Sequence, residues 1–361
     1  MRRKMIYVSL AALGLILLAA SFAGANIVNQ PGNILIADQF NNRVIEVDPR
    51  TKAIVWQFGN GSSVPGQHSV VAPNDAERVG NLTLISGTGA PAGSETTCPS
   101  GCVDNRVILV NLAGRIVWQY GQAGVSGAGY NELNTPVQAT FLPSTNILIT
   151  DQANDRVIEV TLSHQIVWQY GMTGVFGSGF NQLNTPNSAE LLENGDVLIA
   201  DQGNDRVIEV NRQLEVVWSY NNSGDPSVLN AAAFASRLPN GDTLITDSNN
   251  NRVFEVDMNG DLVGSYYSTA SATVPNPLPT RAVRLFNGNT LISNQFAGQV
   301  IEVSPEGNIV LSFGTLGVND NAPGDLNAPY DAKEIGDYFG LTPPFVAPFA
   351  IEKAITVLNR D

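Results

Sequence analysis

The chain has 361 residues, 43% of them hydrophobic, enough for one large domain or two ordinary ones. Only 14% are charged, while 34 glycines and 20 prolines favour many turns over long helices. A net charge of −14 argues against a nucleic-acid partner, because phosphate binding needs Lys and Arg to displace counterions, and equally disfavours an anionic lipid surface.

The chain begins MRRKMIYVSLAALGLILLAASFAGA: Arg2, Arg3 and Lys4, an apolar run, then Ala23-Gly24-Ala25. Residues 1–25 read as a signal peptide cleaved before Asn26. Residues 5–23 are also long enough to remain as a membrane anchor, and membrane attachment is expected only in that case. Either way the body is expected to be secreted or otherwise extracytoplasmic.

From residue 26 to residue 340 the chain repeats. The stretch DQANDRVIEV at 151–160 returns as DQGNDRVIEV at 201–210, and its arginine recurs as Arg43, Arg106, Arg156, Arg206 and Arg252, with Gln299 at the sixth place. All four tryptophans, Trp56, Trp118, Trp168 and Trp218, follow such an arginine by 12 or 13 residues; Gly264 and Leu311 hold that place in the last two units. Six copies of one unit are implied. Each copy holds four short strands, A to D, separated by turn signals, as in NSAELL, DVLIAD, RVIEV and EVVWSY of the fourth. Four strands every ~45 residues is the blade period of a β-propeller. The repeated tryptophan is then expected near the outer edge, filling the gap between diverging blades.

The second unit departs from the others. Ser86-Gly87 stands where the rest carry Asp-Gln, and TGAPAGSETTCPSG is inserted before Asp104-Asn105-Arg106. Cys98 and Cys102, the only cysteines, are expected to close a small disulfide loop, since a metal site needs more Cys or His nearby. A loop pinned over one rim reads as a lid, a partner contact or a tolerated insertion.

The segment NIVNQPGNILIAD starts the first unit at strand B, and LNAPYDAKEIGDYFG near the C-terminus matches strand A with no B, C or D after it. The expected fold is therefore an all-β, six-bladed propeller of four-stranded antiparallel blades, closed by a C-terminal strand that completes the first blade. Residues 341–361 fall outside the repeat. There Ile351, Ile355 and Leu358 share one face of an expected short amphipathic helix, packed on the propeller or docking on another protein.

The run LNTPNSAELLENGDVLIADQGNDRVIEV resembles the NHL repeat, and the IVWQYG ending is similar to bacterial arylsulfotransferase-like and quinoprotein-type propellers. The resemblance spans residues 27–340 and implies the fold rather than an activity, because such propellers include lyases, sulfotransferases and pure binding modules. Histidine-rich metal sites, which the lyases of this shape resemble, are not supported by a chain with only His68 and His164.

Candidate site residues follow from strand order. A–B and C–D turns emerge on one face of the ring; B–C loops and D–A links emerge on the other. His164 falls in a C–D turn and reads as exposed and inert. His68 falls on a D–A link and is the candidate nucleophile or base of an enzyme reading, helped by Asp75, Arg281 and Arg284. Positions that differ between blades are the better place to look for specificity. The residue before the repeated alanine of strand A is Asp75, Gln138, Ser188, Phe234, Arg281 and Asp331, a ring expected at the channel mouth. That ring suits a small polar ligand, an axial Ca²⁺ or hydrating water; no other metal and no cofactor is expected. By contrast Asp38, Asp151, Asp201 and Asp247 are identical in phase, with Asn294 in the sixth unit. They are expected to accept unpaired turn N–H groups while the arginine bridges to a carboxylate, a structural role. The leading expectation is a binding or scaffold module for a protein, glycan or small polar ligand; the alternative is a sulfotransferase- or lyase-type enzyme using His68.

Overall fold

The computed structural model describes residues 27–221, 228–267 and 272–337. The signal or anchor segment and the tail helix expected after residue 340 lie outside the described residues. Among those described, no helix is long and apolar enough to cross a membrane.

Valine- and isoleucine-rich runs of four to ten residues, broken by glycine and asparagine turns, pair into six antiparallel sheets of four strands. Blade 3 shows the pattern: strand A (Pro136–Phe141), B (Ile147–Asp151), C (Arg156–Val160) and D (Ile166–Tyr170) pair in that order. Blade 1 is assembled from both ends of the described chain. Pro329–Glu334 pairs with Ile34–Asp38, followed by Arg43–Asp48 and Ala53–Phe58. The expected closure is thus found, and it covers the inner edge of the Ile34–Asp38 strand.

Each blade buries both faces, which is why strands B and C are buried at nearly every position, charged ones included, and set apolar residues side by side rather than alternating. The apolar residues gather into one large cluster per seam, with a small seventh of Val71, Ala72 and Ala90 beside the blade 2 loop. At the seam of blades 2 and 3, for example, Leu84, Val107 and Trp118 pack with Ala139, Phe141 and Ile149. A register shift late in strand C recurs in every blade, between Glu159 and Val160 in blade 3. Opposite it stands the strand D tryptophan, as Glu159 faces Trp168. The tryptophans fill the outer seams as expected. Trp56, Trp118 and Trp218 donate Nε1–H to the carbonyls of Leu112, Leu162 and Met258 in the next blade's C–D turn, at 2.9–3.0 Å.

Carboxylate–arginine clasps stitch the same seams. Glu46 pairs with Arg78 at 2.7 Å, Glu159 with Arg212 at 2.7 Å and Glu209 with Arg237 at 2.8 Å; the three arginines lie over Trp56, Trp168 and Trp218. Glu255 pairs with Arg284 at the seam of blades 5 and 6. His164 is half-buried, not exposed as its turn position suggested. It packs edge-on against Trp118 and Tyr120 with ring centroids 5.7 and 5.6 Å away, and burial lowers its pKa.

Candidate functional site

The repeated DQANDR stretch resolves residue by residue. Asp151 Oδ2 accepts from Asn154 Nδ2 and Arg156 Nε, each at 2.7 Å, and Oδ1 accepts the Asn134 N–H at 2.7 Å. Asp38, Asp201 and Asp247 repeat this corner with Arg43, Arg206 and Arg252 at 2.7 Å. Burial raises the pKa of Asp38, Asp151 and Asp201 against the opposing pull of their arginines. Asp155, held at φ +52°, takes the N–H of Thr185 in the next blade at 2.9 Å. Asp and Asn tolerate that left-handed backbone, and their short side chains reach the adjoining strand. The aspartate and the arginine thus spend their hydrogen bonds within the corner itself.

The glutamine does something else. Gln39, Gln152, Gln202 and Gln295, with Thr88 and Ser248 in the other two blades, line an axial bowl of about 540 Å³ on the B–C loop face. Its floor and wall include Asn74, Asn187, Thr280 and Tyr330, and Pro91 and Ser94 come from the insertion of blade 2. Cys98 and Cys102 form the expected disulfide in that loop, with Cα atoms 5.8 Å apart. Its Glu95 accepts from Asn42 Nδ2 at 3.1 Å, tying the loop to blade 1. Among the described lining residues none is a carboxylate, imidazole, thiol, ammonium or guanidinium.

The ring expected at the mouth lies beneath this floor instead. Asp75, Gln138, Ser188, Phe234, Arg281 and Asp331 are at most 2% exposed. Four of them point sideways, because the innermost strand has an unpaired edge whose N–H groups need acceptors. Asp331 accepts the Ala76 N–H, Asp75 that of Ala139, Gln138 that of Ala189 and Ser188 that of Ala235, at 2.7–3.2 Å. Arg281 plugs the axis. Its guanidinium, stacked near Phe234 and Tyr330, donates to Asn187 Oδ1 at 2.9 Å and to the carbonyls of Val137, Asn187, Ala233 and Thr280.

Lys333, absent from the sequence candidates, sits between Asp75 at 2.7 Å and Asp331 at 2.6 Å. The two carboxylates that an axial Ca²⁺ would use are therefore held by an ammonium. Among the described residues no cluster of His, Cys, Asp and Glu is placed to hold a metal ion. Fully buried Glu77 accepts the Phe141 N–H at 2.9 Å. Burial, with Asp75 and Asp331 nearby, pushes its pKa up to about 8 against the opposing Phe141 hydrogen bond and Lys333 charge.

His68 and Arg284 are not brought to the axis. His68 is exposed in a shallow outer groove of about 510 Å³ beside Arg115, Ile116 and Gln119, the last two on strand D (Ile116–Tyr120) of blade 2, the outermost of its sheet. The D–A link swings outward before turning in to Pro73, which sequence order alone did not reveal. Arg284 belongs to the seam clasp with Glu255.

A family model described as the outer membrane protein assembly factor BamB matches residues 103–315. The chain belongs to that family. Within it, the strand D tryptophans that resembled quinoprotein and arylsulfotransferase endings serve the blade seams, and the NHL likeness of the LNTP and NDRV motifs is one of repeat motif. No curated protein matches the chain in sequence. Among solved structures, a protein of unknown function from Bacteroides caccae is similar at 16% identity and a TM-score of 0.58, over 84% of this chain and 98% of that one. A streptogramin B lyase is 15% identical with a TM-score of 0.49, over 77% of this chain and 78% of its own. Virginiamycin B lyase from Staphylococcus aureus is 13% identical with a TM-score of 0.45, over 67% and 69%. At this identity the first likeness shows a shared fold alone.

Proposed function

We propose that this BamB-family chain is an extracytoplasmic binding propeller that seats a small polar ligand in the axial bowl, with the disulfide-pinned loop of blade 2 as part of the wall. The observation that carries this reading is the lining. Amides and hydroxyls from all six blades converge on one cavity without a charged side chain, a surface made for orientation by hydrogen bonds rather than for proton transfer. The enzyme alternative loses its base, because His68 stands in the outer groove and has no place among the residues lining the bowl. The disulfide and the family both fit a compartment outside the cytoplasm.

Gln152→Trp tests the reading by filling the bowl from a half-buried loop position. Small molecules that raise the unfolding temperature of the parent should leave this variant unmoved. Equal stabilisation of both proteins would defeat the proposal. A protein partner is the second reading, favoured by Tyr130, Phe176 and Phe180, which stand 67–73% exposed on the D–A links of the same face. The blocked variant separates the two, since a protein seated on those links still binds it.

A further inference from the structure

We infer that the bowl is built for an uncharged saccharide, an inference that rests on the bowl being the ligand site. A sugar hydroxyl both donates and accepts, so a matching wall needs interleaved donors and acceptors that are fixed in direction and carry no charge. The amide ring supplies this. Gln295 Nε2 donates to Gln39 Oε1 at 2.6 Å and Gln39 Nε2 to Asn74 Oδ1 at 2.7 Å. Across the bowl, Asn187 Nδ2 and Gln152 Nε2 both donate to Gln202 Oε1, at 2.9 and 3.4 Å. These bonds set which way each amide faces. They leave the NH₂ groups of Asn74 and Gln202 as donors to the cavity, and the carbonyl oxygens of Gln152 and Gln295 as acceptors.

Charged ligands are disfavoured from both sides. An anion finds no free guanidinium, because the terminal nitrogens of Arg281 under the floor already donate to four backbone carbonyls and to Asn187. A cation finds no carboxylate, because Asp75 and Asp331 hold Lys333. A peptide strand finds no edge to pair with, since the neighbouring blade's side chains accept N–H groups of the innermost strands. Phe40 and Phe296, from the adjoining blades 1 and 6, complete the lining with apolar rings, Phe296 being 51% exposed. Such rings suit the C–H face of a pyranose. The volume of about 540 Å³ falls within the range of small-molecule sites.

The experiment presents the full chain to an array of neutral oligosaccharides beside sialylated and sulfated counterparts, then follows binders by calorimetry. At least one neutral saccharide should bind, and its charged counterparts should bind no tighter. Gln202→Leu and Gln152→Leu, each removing one amide of the ring, should weaken it about tenfold or more while the variants still unfold cooperatively, as for a lost neutral hydrogen bond whose partner is left unpaired. His68→Ala, in the outer groove, should leave binding unchanged. An array that shows no neutral binder, or only charged ones, overturns the inference. If a non-saccharide meanwhile stabilises the parent but not Gln152→Trp, the bowl survives as the site and only the ligand class falls. Saccharide binding untouched by all three glutamine variants places the sugar elsewhere and overturns both.

Discussion

Gly87 is a glycine because Asp104 needs its space. A methyl group there would stand 2.7 Å from the Asp104 carboxyl carbon. In blade 2 the corner carboxylate arrives from strand C instead of strand B, yet it performs the same work, accepting the Val71 N–H at 2.7 Å and pairing with Arg106 at 2.5 Å. Blade 6 shows the converse. Proline at 277, two before the strand, has no N–H to offer, and there the corner is the neutral pair Asn294 and Gln299. Deviations at this corner therefore follow the donor that must be satisfied. Glu77 makes a testable case at the same scale. Its burial, reinforced by the Asp75 and Asp331 carboxylates nearby, keeps its proton on up to about pH 8. A raised carboxyl pKa contributes stability that is full below its ordinary value of 4.5, falls as pH rises and is gone above about 8. Glu77→Gln should flatten the stability profile across that window, as measured by urea unfolding at a series of pH values. A variant curve parallel to the parent's would show that Glu77 does not titrate there.

At the scale of the strand and its seam, the clasps differ in what their loss exposes. Arg78 is buried, lies over Trp56 and is the ion-pair partner of Glu46. Burial draws its pKa down to about 10, so it remains charged at neutral pH. Arg78→Ala leaves a buried carboxylate without its cation and should cost about 3–5 kcal/mol. Arg50, 80% exposed beside Asp48, should cost within about 0.5 kcal/mol on the same change. Chemical denaturation of the two variants checks both, and equal losses would refute the distinction. The blades themselves were legible in the sequence, because strand period, turn glycines and the tryptophan phase are local signals. The clasps were not, since Arg78 and Arg237 come from strand A of the following blade whereas Arg212 comes from a turn. The bowl was missed for a different reason. Identity between repeats points to a structural role, and the aspartates do stay in their own corners. Around a ring, however, identical glutamines meet at the axis, and sameness is then compatible with a shared site. Asn187, Tyr330 and Lys333 carried no motif and emerge only from the folded geometry.

Across the whole ring the six seams are not equal. Four carry carboxylate–arginine clasps, and between blades 2 and 3 the apolar Leu109 and Phe141 stand where the others have that ion pair. The closing seam of blades 6 and 1 sets Glu334 near Glu302, whose carboxylate accepts from Asn287 and Asn289. Partial burial, with Asp337 and Glu302 close by, pushes the Glu334 pKa up to about 7. Its contribution to stability is therefore full below 4.5 and lost as pH rises through about 7, so the junction is weakest in alkali. Glu334→Gln should raise the unfolding temperature at pH 8 and leave it unchanged near pH 4, where both side chains are neutral. Scanning calorimetry at the two pH values decides, and a gain that is equal at both would mean the effect is not electrostatic.

The pairing of Pro329–Glu334 with Ile34–Asp38 also sets the order of events in folding. The Asn327 N–H that reaches Asp38 Oδ1 at 2.7 Å bridges 289 positions of chain, among the least local contacts in the molecule. During synthesis the first blade must wait, three-stranded and with a bare inner edge, until every other blade has left the ribosome. A chain that stops short of residue 334 is thus an open arc carrying a ready template for another strand. Aggregation of truncated products, rather than loss of ligand, is the failure that this circular design invites.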